Sequence, residues 1–169
     1  KIRISVGLEN NDVVSTGDGL NNNSEEPEPH QVSRSNQLMI DTALERVGLN
    51  GRQFAHLKDD CEQSIRELKL LLENNDVIII SGGISMGKKD FIPEALQELG
   101  LNCHFHGVAQ KPGKPFGFWT NESCAVFALP GNPLSSLSCL HHYVIPSLFD
   151  ASGKTADVPS VEVALTTDA

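Results

Sequence analysis

Four turn-forming loops, each directly after an apolar run, carry the residues that could do chemistry. They are Ser15-Thr16-Gly17-Asp18, Ser81-Gly82-Gly83-Ile84-Ser85-Met86-Gly87, Lys111-Pro112-Gly113-Lys114-Pro115 and Leu129-Pro130-Gly131-Asn132-Pro133. Glycine lets a backbone come close to a ligand, and hydroxyls, lysines and carboxylates are interleaved with these glycines. Loops that follow the strands of a parallel sheet gather along its carboxyl edge, where such sheets bind ligands. The combination suits a phosphorylated, anionic small molecule.

Each loop also has a plainer use. Gly82-Gly83 follows an unbroken apolar run and precedes a helical pattern, so backbone N–H groups and a helix start can hold an anion there. Ser85 adds a hydroxyl and Asp90 a carboxylate. The spacing is neither G-x-G-x-x-G nor a Gly-Lys-Ser/Thr phosphate loop, and a tight turn packing strand on helix would use the same glycines. In Lys111-Pro112-Gly113-Lys114-Pro115 two prolines stiffen the backbone, which leaves less entropy to lose when the ammonium groups meet an oxyanion. A solvated basic turn is the alternative. Asn132 and Pro133 fit the N-cap and first position of a helix, and a ligand could share the same amides. Asp18 and Asp90 could hold magnesium, which commonly uses one or two carboxylates plus ligand phosphates; turn and capping roles compete for both. His104 and His106 alternate across Phe105 and are expected on one side of a strand, as structural histidines. His141 and His142 are expected at a helix end, near its dipole.

The elements that must position these loops can be read from periodicity. Ile2, Ile4 and Val6 alternate with polar residues as a half-exposed strand, and residues 12–15 form a brief buried one. Residues 19–35, rich in Asn, Ser, Glu and Pro, read as a surface loop. A helix spans Asn36 to Val47 and stops at Gly48. A weak strand at Phe54 to Leu57 precedes a helix from Cys61 to Leu72, with Asp59 and Asp60 offering an N-cap. Asp76 to Ser81 is a Val/Ile run that must be buried on both faces, hence a central parallel strand. A helix from Pro93 to Leu99, a strand from Cys103 to Val108, and a hairpin of Phe116–Trp119 with Cys124–Leu129 follow. Pro133 opens a helix to about Val144. Strand–helix alternation with one late hairpin predicts a three-layer α/β/α sandwich with a mainly parallel sheet. Residues 151–159 read as a linker, and Val161, Val163 and Leu165 as the first strand of a truncated element.

The 169 residues suffice for one domain with a real core, and 39% hydrophobic with 21% charged residues is ordinary for a globular protein. Thirteen basic against 22 acidic residues, a net charge of −9, argue against a nucleic-acid partner. Lys88, Lys89, Lys111 and Lys114 nevertheless sit in the two central loops, and local field matters more than the total. Cys61, Cys103, Cys124 and Cys139 show neither a CxxC pair nor zinc spacing, so a reducing, cytoplasmic setting without disulfides is expected. No run is long and apolar enough for a membrane helix, so no membrane partner is expected.

Ser-Gly-Gly-Ile-Ser-Met-Gly-x-x-Asp-Phe (81–91), Lys-Pro-Gly-Lys-Pro (111–115) and Leu-Pro-Gly-Asn-Pro (129–133), in this order after Ser-Thr-Gly-Asp (15–18), resemble the molybdopterin-binding domain of the molybdopterin molybdenumtransferase family. This is the MoeA family, equivalent to the gephyrin E domain. The resemblance implies that residues 12–150 are the molybdopterin-binding α/β domain. Residues 1–11 would be the tail of a preceding region, and 151–169 a linker and the start of a truncated C-terminal β domain. It further implies a homodimer in which the site is completed by the C-terminal domain and the partner subunit. Molybdopterin adenylyltransferase and apo-molybdoenzymes would be its other partners. The implied reaction inserts molybdate into adenylylated molybdopterin and releases AMP with magnesium help. Asp90 matches the family's functional aspartate, implying a role in magnesium binding and hydrolysis, with Asp18 as a second metal ligand. Lys111 and Lys114 match lysines that hold molybdate or a terminal phosphate. Thr16, Gly17, Asp18, Gly82, Gly83, Ser85, Gly87, Pro130, Gly131, Asn132 and Ser135 would bind the pterin phosphate and nucleotide. Where the family reads Thr-Gly-Asp-Glu-Leu, this chain has Gly19 in place of the Glu. ATP-dependent adenylylation of molybdopterin and a non-catalytic pterin-binding module are the alternatives.

Overall fold

The computed structural model describes residues 4–9, 20–21, 32–33, 35–50, 53–57, 61–84 and 91–154. Within them the chain runs β1 (Ile4–Glu9), β2 (Leu20–Asn21), β3 (Val32–Ser33), α1 (Ser35–Arg46), β4 (Gln53–Leu57), α2 (Cys61–Asn74), β5 (Val77–Ser81), α3 (Ile92–Glu98), β6 (Asn102–His106), β7 (Gly117–Thr120), β8 (Ala125–Leu129), α4 (Pro133–Cys139), a π-helical turn (Leu140–Val144) and α5 (Ile145–Ala151). Six strands form one sheet in the order β4-β1-β5-β8-β7-β6. The first four are parallel, and β7 and β6 are added antiparallel in turn.

The sheet is covered on both faces because β5 is apolar at every turn of its pleat. Val77 and Ile79 enter a core layer with Ile40 and Leu44 of α1, Leu140, Val144 and Leu148. Ile78 and Ile80 enter the opposite layer with Leu68 and Leu72 of α2 and Ile92 and Leu96 of α3. Each fully buried Ile or Leu contributes about 1.5–3 kcal/mol relative to exposure. The three-layer α/β/α sandwich expected from the strand–helix alternation is therefore present, with the late hairpin as β7–β8.

The strand expected from the alternation of Ile2, Ile4 and Val6 lies at Ile4–Glu9 as β1, hydrogen-bonded between β4 and β5. Several local expectations differ. Residues 19–35, expected as a loop, contribute the short parallel pair Leu20↔Val32 and Asn21↔Ser33. The helix expected to end near Val144 continues to Ala151, so His141 and His142 lie in the middle of a helical run. Pro146 sits in the first turn of α5, directly after the π turn. Proline lacks an N–H and crowds the carbonyl four residues back, and the wider π turn makes room for it. The strands expected at 12–15 and 161–165, and the caps Asp59 and Asp60, lie outside the described residues.

A β-bulge overturns the expectation for the two histidines. The β6–β7 register passes from Cys103↔Trp119 to Phe105↔Phe118, so His104 is the extra residue. One extra residue reverses the side-chain alternation. His104 stacks on Phe118 with ring centroids 5.2 Å apart, while His106 lies 5.4 Å from Trp119. Phe118 packs on one core layer and Trp119 is buried in the other, so the pair does not share a face.

Candidate functional site at the carboxyl edge

Strands β1, β5 and β8 point the same way, and two reversals bring β6 back to that direction. Their following loops consequently emerge along one edge. Helix α1 and helix α4 lie over one face, and α3, which follows β5, lies over the other. The chain thus leaves β5 toward the face opposite to that used by its neighbours, a topological switch point of the kind at which open α/β sheets have their ligand crevice.

One side chain ties this crevice together. Asn36, in the first turn of α1, donates from Nδ2 to Ser81 Oγ at 2.9 Å and to the Gly131 carbonyl at 2.6 Å. The end of β5, the loop after β8 and the start of α1 are fixed to one another. Asn36 Oδ1 is buried and has no hydrogen-bond partner among the described residues. The Gly82 N–H donates to the Leu129 carbonyl at 3.1 Å, carrying the β5–β8 ladder one step further. Gly82 and Gly83 then adopt φ of 95° and 65°, the left-handed region that turns the chain away sharply. His106 Nε2 bonds the Ile84 carbonyl at 2.8 Å; because a carbonyl only accepts, the ring proton sits on Nε2. Asn132 caps α4 as expected, its Oδ1 accepting from the Ser135 N–H at 3.2 Å.

The lysine loop is a second, separately anchored structure on the same edge. Backbone bonds from Gly107 to Phe116, from Val108 to Lys114 and from Phe116 to Gly113 close it on itself. Its floor rests on the α4–π-turn run: Cys139 Sγ donates to the Gly113 carbonyl at 3.6 Å, and the Phe116 ring stacks on Tyr143 at 4.9 Å. Burial pushes the Cys139 thiol up to about 11, so it remains the protonated donor this contact requires. Burial, and secondarily the charge of Asp76, likewise push Cys124 up to about 11. Lys111 and Lys114 are exposed, with no ion pair among the described residues.

Gly82, Gly83, Gly131, Asn132 and Ser135 are thus gathered around Asn36, beside the buried Pro130, while Lys111 and Lys114 occupy the neighbouring loop. Thr16, Gly17, Asp18, Ser85, Gly87 and Asp90 lie outside the described residues. Among the described residues no three His, Cys, Asp or Glu side chains stand together as a metal site. Sequence inspection missed Asn36 as a tie. The available signal was an Asn inside the first helical turn, where it does not cap. It also missed Gln110, which bonds Pro112, Ser138 and Tyr143.

The chain has relatives among known proteins. A family profile described as a probable molybdopterin binding domain matches residues 12–150. The molybdopterin molybdenumtransferase of Synechocystis sp. is 43% identical over 137 residues, which is 80% of this chain and 35% of that protein. The molybdopterin biosynthesis MoeA protein of Pyrococcus horikosii superposes with a TM-score of 0.72 at 28% identity, over 91% of this chain and 36% of that one. The molybdopterin biosynthesis enzyme MoaB of Thermus thermophilus shares the fold, with a TM-score of 0.61 at 17% identity over 92% and 99% of the two chains. The chain spans about a third of the length of the first two.

Proposed function

The chain belongs to the family of probable molybdopterin-binding domains, and from that premise we propose that it serves molybdenum cofactor biosynthesis as the pterin-binding part of a molybdopterin molybdenumtransferase. The carrying observation is the Asn36 tie between Ser81 and Gly131, which holds two of the family's loops against each other at the switch point of the sheet. That crevice suits the phosphate and nucleotide of adenylylated molybdopterin, with backbone amides of the glycine loops as donors. Lys111 and Lys114 supply fixed positive charge for molybdate or a terminal phosphate, on a loop whose backbone is already closed. Positive charge in place before the reaction stabilises an oxyanion without reorganisation. Asp90 is assigned to the hydrolytic step, and with Asp18 to magnesium; the metal would neutralise phosphate charge as AMP departs. The 43% identity to a molybdenumtransferase favours insertion over the adenylylating reaction. A cytoplasmic homodimer that receives its substrate from the adenylyltransferase and passes product to apo-molybdoenzymes completes the proposal.

The test is AMP release from adenylylated molybdopterin, measured on the longest natural chain that contains this domain, with magnesium, with and without molybdate. Molybdate-stimulated release is the expected outcome. Tight pterin binding without release refutes insertion and leaves adenylylation or a binding-only module.

A further inference from the structure

Gln110 stands immediately before Lys111, and its side chain makes three hydrogen bonds. Nε2 donates to the Pro112 carbonyl at 2.7 Å and to Ser138 Oγ at 3.0 Å, and Oε1 accepts from the Tyr143 hydroxyl at 2.6 Å. The Pro112 carbonyl can only accept, which fixes the orientation of the amide. Gln110 therefore grips the backbone between the two lysines and fastens it to two successive turns of the helical run. Residues 112, 113 and 116 of the loop are held by Gln110, Cys139 and Tyr143 respectively. Lys111 and Lys114 alternate with these anchors and extend into solvent. A Lys side chain loses much rotamer freedom when it clasps an anion, and a backbone that is already immobile lowers the total ordering cost.

We propose that Gln110 is a positioning residue that, through Ser138 and Tyr143, holds the Lys111 and Lys114 backbone in register for binding a tetrahedral oxyanion. The inference rests on the reading above, in which those lysines meet molybdate. Gln110 touches no anion itself; it acts through the lysines. Its removal should therefore weaken anion binding while leaving the chemical step alone.

The experiment uses the longest natural chain and molybdate alone as the binding probe, with the KM for molybdate and kcat in AMP release as second readouts. Gln110→Leu removes all three bonds at similar volume and should weaken molybdate binding by roughly tenfold, with kcat changed by less than about twofold. Tyr143→Phe keeps the stack on Phe116 and loses one hydroxyl, so roughly threefold is expected. Ser147→Ala, which removes only a contact to the Tyr143 carbonyl, should match wild type. The decisive arm repeats Gln110→Leu in a Lys111→Ala/Lys114→Ala background, where a residue that works through the lysines has no further effect. Wild-type molybdate affinity in Gln110→Leu and Tyr143→Phe overturns the inference. So does an undiminished loss in the lysine-free background, which would mark a general packing role. If the lysine-free protein itself binds molybdate normally, the lysine assignment fails first, and the Gln110 role falls with it.

Discussion

Replacing Gly113 with alanine tests how tightly the lysine loop is seated. Gly113 has φ of 116°, and a Cβ built there lies 2.6 Å from Cys139 Sγ and 2.9 Å from Gln110 Nε2. Gln110 ends a flexible side chain and can swing away, at the loss of its bonds to Pro112 and Ser138. Cys139 cannot: its sulfur is one bond from Cβ, at a fully buried helical position. Two costs therefore add. A non-glycine residue at this φ costs about 1–3 kcal/mol, and overpacking a buried contact costs about 1–3 kcal/mol more. Gly107 supplies an internal comparison, since its φ is 111° but its nearest obstacle is the Lys114 carbonyl at 3.7 Å. Gly107→Ala should thus show the conformational cost alone, about 1–3 kcal/mol. Combining Gly113→Ala with Cys139→Ala removes the obstructing sulfur, and the double variant should be more stable than the sum of the singles by about 1–3 kcal/mol. Urea unfolding followed by fluorescence of Trp119, the chain's one Trp and a buried one, reads these differences. Strict additivity, with Gly113→Ala no worse than Gly107→Ala, would refute the packing account.

Asn36→Ala should destabilise by about 1–3 kcal/mol, because it leaves Ser81 Oγ and the Gly131 carbonyl without their donor; an unchanged urea midpoint would show that the tie is dispensable. Stability should decline between pH 9.0 and about 11 as a result of Cys139, whose thiol is raised from 9.0 to about 11 in the folded protein. Over that window the unfolded chain releases the proton first, so rising pH favours unfolding. Cys139→Ala should decline less steeply than wild type, and parallel pH curves would rule this cause out. Lys111→Ala should raise the molybdate requirement by roughly tenfold or more, the scale of one charged hydrogen bond. Asp90→Asn should retain pterin binding and lose turnover; unaltered steady-state kinetics in both variants would remove these residues from the mechanism.

The fold was legible where the chain obeys one period without interruption. Val77 to Ile80 could only be a strand covered on both faces, and it lies between β1 and β8 with every residue buried. Gly48 and Gly100, with φ of 77° and 81°, follow their helices as the glycine pattern requires. What escaped was set by tertiary pairing. The bulge at His104 exists only against the register of β7, and no local pattern in Asn102 to His106 announces it. The pairing of β1 with β4 and β5 likewise depends on partners more than 40 residues away. The glycine turns and the Asn132 cap were legible because turn chemistry is local. The side chains that fasten those turns, Asn36 and Gln110, reach partners 95 and 28 residues away along the chain. A polar residue with a distant partner looks, in sequence, like any exposed one.

The Asn36 tie has a consequence for the order of folding. Its partners lie 45 and 95 residues along the chain, one at the end of β5 and one beyond β8. Neither contact can form until the central strands have paired, since the loop-closure entropy is repaid only by that pairing. The residues of the crevice are therefore joined to one another only in a chain whose central strands are already paired. A ligand bound there would draw on the cooperativity of the whole domain, and its binding free energy would appear as global protection, reaching amides of β5 and β8 in hydrogen exchange as fully as those of the loops.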